Sequence, residues 1–136
     1  MRALALFALA LAPCGVALAQ ERSAAPCPQA WEVTTAQLLG AWRAERSGDW
    51  DDASLVLERH PEYDGFRGAL RRGSEQRSVA GDVDEGDFTL EESVDGRHIA
   101  ATWIGEVVEG SCGREIRGTW KAESGGEARA FVLRKQ

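Results

Sequence analysis

The chain reads as an all-β protein, a small eight-stranded antiparallel up-and-down barrel entered through a short N-terminal helical turn. Three observations predict it. From residue 40 onward, apolar residues recur with a period of two. Eight such runs are separated by short polar turns built from Gly, Asp and Ser. No second helical pattern follows the first turn. A two-sheet β-sandwich is the competing architecture.

The N-terminus sets the compartment. Met1-Arg2 leads into an Ala, Leu and Phe run that closes at Ala17-Leu18-Ala19. A charged start, an apolar centre and a small-x-small close predict a secretory signal peptide over residues 1–19. The protein is therefore expected in the periplasm or secreted. Cleavage after Ala19 leaves 117 of the 136 residues and, with Arg2 gone, takes the net charge from −6 to −7. That is one domain with one core. The apolar run is too short for a membrane span. An acidic domain repels phosphate backbones, so nucleic acid is not an expected partner.

Of three cysteines, Cys14 leaves with the signal, and Pro13 before it does not suit acylation. Cys27 and Cys112 remain, and in an oxidising compartment they are expected to form one disulfide. Neither belongs to a C-x-x-C pair, so the expected role is structural.

Residues 20–33 carry Ser, Ala, Pro26 and Pro28 around Cys27 and read as an extended leader. The barrel domain occupies 34–136. Thr34 with Gln37 forms a capping-box pattern for one helical turn, ended by Gly40. Strand-like runs follow at 40–46, 53–60, 65–71, 76–83, 87–94, 98–108, 114–121 and 128–135. Short turns join antiparallel neighbours, which gives a meander. Closing it removes the edges. Gly40, Gly68, Gly81, Gly105 and Gly118 share strand faces with large apolar residues, as bending at barrel corners requires.

Parity places Trp42, Leu55, Leu57, Phe66, Leu70, Val79, Val83, Phe88, Leu90, Ile99, Trp103, Val107, Ile116, Trp120, Phe131 and Leu133 inside. These groups come close to filling an eight-stranded barrel. Any pocket is expected to be shallow and near one mouth.

The segment Thr34 to Trp42 resembles the calycin superfamily of lipocalins, avidins and their small bacterial relatives. There a helical turn leads into Gly-x-Trp at the first strand, here Gly40-Ala41-Trp42. The resemblance implies that an arginine of the last strand, Arg134, packs over Trp42 by cation–π stacking. It implies a lipocalin-like barrel and leaves the ligand open. Small exported bacterial protease inhibitors with such a barrel and one disulfide are similar in size.

The remaining side chains that could carry function are scattered. His60 and His98 are isolated, and no G-x-S-x-G nucleophile motif or zinc-ligand spacing is present. Neither a metal nor a cofactor is expected. Asp82, Asp84, Glu85 and Asp87 read as an acidic hairpin turn that lacks the full calcium-loop pattern. Trp50, between Asp49 and Asp51, is either a contact residue or a cover for one barrel end. Arg67 and Arg71, with Arg59 and Arg72, could form a basic strip on the outer wall for an anionic partner, or pair with carboxylates on the next strand. Glu92 shares parity with Phe88 and Leu90, and the turn residues that follow at once predict that the strand frays there.

The function expected is that of an exported, non-enzymatic binding module. It would take a small ligand at the barrel mouth or an envelope protein through its loops. A structural envelope-associated protein and a protease-inhibitor-like barrel are the alternatives, and an enzyme is the least expected.

Overall fold

A computed structural model of the chain describes residues 26–48 and 50–136, with residues 50–52 described through their backbone. The signal-like run and the first part of the leader lie outside the described residues. A 3-10 turn at Ala30–Glu32 and a helical turn, α1, at Thr35–Leu38 precede eight strands. These are β1 Gly40–Arg46, β2 Trp50–Arg59, β3 Phe66–Arg72, β4 Glu75–Asp84, β5 Asp87–Ser93, β6 Ile99–Val107, β7 Glu115–Ala122 and β8 Arg129–Lys135. Each strand pairs antiparallel with the next, and β8 pairs with β1, so the sheet is a closed barrel. The meander closes on itself, and the sandwich alternative falls away.

Closure depends on close backbone approach. A Cβ added at Gly68 would lie 1.7 Å from the carbonyl oxygen of Val56. At Gly81 and Gly118 it would lie 1.9 Å from that of Thr89 and 2.0 Å from that of Ile104. Only a residue without a side chain lets neighbouring strands coil this tightly.

The core follows the expected parity. Trp42, Leu55, Phe66, Phe88, Leu90, Trp103, Ile116 and Leu133 are all 0–1% exposed. Ala44, Ala53 and Ala101 are buried with them. Three inward positions differ from expectation. Val83 and Trp120 are half-buried, and Ile99 is 43% exposed. The cause at Ile99 is a register shift. Glu92 pairs with Ala101 while Ser93 pairs with Ile99, so a bulge carries Ile99 out to the rim.

The antiparallel meander puts four loops at one end and three, with the chain's leader, at the other. One end is covered by the leader. Val33 and Leu38 are buried there, and the disulfide Cys27–Cys112 ties the leader to the β6–β7 loop with Cα atoms 4.7 Å apart. The Ala30 N–H donates to Glu109 Oε2 at 2.8 Å, also in that loop. The Thr34 N–H donates to Gln37 Oε1 at 2.8 Å, the back-bond of the capping box. Trp42 sits beneath α1 and donates its indole N–H to the Leu38 carbonyl at 2.8 Å.

The cation over Trp42 is Lys135, with Nζ 5.8 Å from the ring centroid. Arg134 is not there. Leu133 faces inward, so alternation turns Lys135 inward and Arg134 outward, where it donates to Glu45 Oε2 at 2.9 Å. Burial, then the nearby Arg114 charge, pushes the Lys135 ammonium below its ordinary value.

Candidate functional site at the open mouth

At the other end the inward parity does not stop at the apolar core. It continues into polar residues. Arg46 follows Trp42 and Ala44 on β1, and Arg72 follows Leu70 on β3. Arg77 precedes Val79 on β4, and Glu92 follows Phe88 and Leu90 on β5. Trp120 extends the inward face of β7. These side chains line an open depression of about 540 Å³.

Glu92 is the centre of it. It is 1% exposed, and β5 continues through Ser93 rather than fraying at Glu92. Its Oε1 accepts two indole N–H donors, from Trp103 at 2.7 Å and Trp120 at 2.8 Å. Its Oε2 lies 3.6 Å from an amino nitrogen of Arg77, an ion pair beyond hydrogen-bond length. That oxygen is buried and has no hydrogen-bond donor among the described residues. A buried carboxylate oxygen in this state is an exception to the rule that such groups are satisfied.

The arginines are fixed around it. Glu75 accepts from Nε and one amino group of Arg77, at 2.9 and 2.6 Å, and also from Arg72. Arg72, then Arg77, hold the Glu75 carboxyl below its ordinary range. The Arg46 guanidinium lies over Trp120, 3.8 Å from the ring centroid, and Arg46 is 8% exposed. At the rim Val94 is 71% exposed and Ile99 sits beside it. The mouth thus offers positive charge, one buried acceptor and an apolar lip.

The residues singled out from the sequence are dispersed over the barrel. Gly40 and Trp42 lie at the closed end, and both cysteines are exposed there. Trp50 opens β2 opposite Arg46 and so belongs to a strand rather than a turn, and its side chain lies outside the described residues. Arg67 and Arg71 project from the outer wall, opposite Glu58 and Ser54 on β2. Arg72 has the other parity and belongs to the mouth.

His60 stacks on Tyr63 at 3.7 Å near the closed end. His98 is bonded through Nδ1 to Asp95 in the β5–β6 loop, at the opposite end, and is fully exposed. Ser93 Oγ donates to Asp95 at 3.0 Å, so these three residues form a loop clasp. Among the described residues no three His, Cys, Asp or Glu side chains gather to hold a metal. None of the described helices is long and apolar enough to cross a membrane.

Arg46, Arg77 and Glu92 carry the mouth and were not picked out as site residues from the sequence. Parity with Trp42, Val79 and Leu90 was the signal that could have found them. No protein-family model matches the chain, and no curated protein matches it in sequence.

Proposed function

We propose that this protein is an exported, non-enzymatic binding module of calycin-like form that takes a small polar ligand at the open mouth of its barrel. The observation that carries this reading is Glu92, a buried carboxylate with one oxygen that has no donor among the described residues, in the lining of an arginine-bearing depression. Folds rarely leave such a group in the core unless something else meets it. The signal-like residues 1–19 and the disulfide support export. The separation of His60 and His98 to opposite ends supports binding over catalysis.

The test uses the isotope-labelled chain and nuclear magnetic resonance. The indole N–H signals of Trp103 and Trp120 report the mouth, and that of Trp42 reports the closed end. Titration with a metabolite extract is expected to move the first two and leave the third. No shift, or shifts confined to Arg67, Arg71 and their outer-wall neighbours, would overturn the reading.

A further inference from the structure

We infer that the ligand of the mouth is a free α-amino acid with an apolar side chain. Its ammonium group meets Glu92 Oε2, its carboxylate lies among the arginine guanidinium groups, and its side chain covers Val94 and Ile99. This rests on the reading of the mouth as a small-ligand site.

Charge narrows the class. The described lining residues carry three arginines, Arg46, Arg72 and Arg77, against Glu92 and Glu123, with Glu75 paired to Arg72 and Arg77 behind them, so the two signs balance. A simple cation entering the mouth meets the Arg77 guanidinium beside Glu92. A simple anion meets Glu92 at its base. A zwitterion satisfies both, provided its two charged groups are carried on one carbon, since Glu92 Oε2 and an Arg77 amino nitrogen stand 3.6 Å apart. An α-amino acid has that arrangement.

Donor and acceptor counts agree. Glu92 Oε1 already serves two indoles, so the oxygen that remains wants a donor. Arg77 gives Nε and one amino group to Glu75, and its remaining amino nitrogen is the one beside Glu92. Each guanidinium has five N–H donors, so its bonds to neighbouring carboxylates do not exhaust it.

The lip supplies the last element. Val94 and Ile99 are 71% and 43% exposed, two β-branched apolar side chains at the edge of the hollow that holds the arginines and Glu92. An apolar ligand side chain would remove both from water.

Four probes test the assignment, followed by the indole signals of Trp103 and Trp120. They are L-leucine, isocaproate, which lacks the ammonium group, isoamylamine, which lacks the carboxylate, and glycine, which lacks the side chain. L-leucine is expected to half-saturate at a concentration at least about tenfold below each of the others, as loss of a charge-assisted contact implies. In Glu92→Gln the L-leucine affinity should fall about tenfold or more while the Trp42 signal stays in place.

Should Glu92→Gln unfold, Ile99→Ser provides an independent check. It should narrow the gap between L-leucine and glycine severalfold, because the Ile99 half of the lip is lost while Val94 remains; an unchanged gap would overturn the side-chain contact. Isocaproate binding as well as L-leucine would overturn the ammonium contact with Glu92, and isoamylamine doing so would overturn the arginine contact. Silence of all four probes would overturn the amino-acid assignment. In that case the extract titration decides separately whether the mouth binds anything.

Discussion

The two ends of the barrel use the same side chain for different purposes. At the closed end Trp42 donates to a backbone carbonyl, that of Leu38, beneath a turn held by a disulfide. At the open end Trp103 and Trp120 donate to one oxygen of a carboxylate, and none of the described leader residues lines that mouth. A neutral bond under an apolar lid holds the chain together and offers nothing to a visitor. A charged group satisfied on one oxygen only is worse for stability than a hydrophobic core and better for recognition. The difference teaches that, in a barrel whose middle is filled, the polar side chains that could meet a ligand gather at the end away from the leader; the binding proposed above rests on that.

The largest effect expected from breaking this contrast is at the disulfide. Replacing both cysteines, Cys27→Ser with Cys112→Ser, frees a loop spanning 85 positions. The chain-entropy argument puts the loss of unfolding free energy at up to about 4–5 kcal/mol, read from urea denaturation. The indole signals of Trp103 and Trp120 should not move, because the described part of the leader packs at the other end of the barrel. Movement there would show that the closed end shapes the open one.

Next comes the carboxylate itself. Glu92→Ala removes the acceptor shared by the Trp103 and Trp120 indole N–H groups and one of the two carboxylates beside Arg77. A loss of about 3–5 kcal/mol is expected from removing one member of such a buried set. Trp42→Phe removes a single neutral hydrogen bond and part of one ring, and should cost about 1–2 kcal/mol. Urea midpoints of the two variants compare the ends directly. An Ala variant no weaker than the Phe variant would show that Glu92 carries no more than an ordinary interior hydrogen bond.

These residues also show how far the sequence could be read. Trp42, Leu55, Phe88 and Leu133 lie inside because alternation leaves them no other side, and the turns that join eight short runs fix a meander. Closure was legible in the glycines, since Gly68, Gly81 and Gly118 sit where a strand pattern asks for a side chain. The mouth was not legible in the same way. Glu92 obeys the parity of its strand, and a charged residue next to a turn reads as fraying. What makes it a core residue is Trp103 and Trp120, 11 and 28 positions away, which only the β5–β6–β7 register brings to it. The same limit explains Arg134. A motif names an arginine, whereas the pleat decides which of two adjacent cations, Arg134 or Lys135, turns toward Trp42.

The smallest expected effect sharpens the open end by titration. In the β5–β6 loop Asp95 accepts the N–H groups of Arg97 and His98, both at 2.8 Å, and bonds His98 Nδ1. These bonds hold the Asp95 carboxyl well below the usual carboxylate range, and the same partner raises His98 above its ordinary 6.5. For Asp95, stability is present above the unfolded carboxylate value and lost as pH falls through the folded one. For His98, it is full below the unfolded imidazole value and lost as pH rises through the folded one. The clasp is therefore tightest between about pH 4 and 6.5. Both groups stand in water, so the change in the urea midpoint is small. His98→Ala should remove the decline that the unaltered chain shows on going from about pH 6 to pH 8. An unchanged slope in the variant would place the titrating group elsewhere than on the loop that carries Val94.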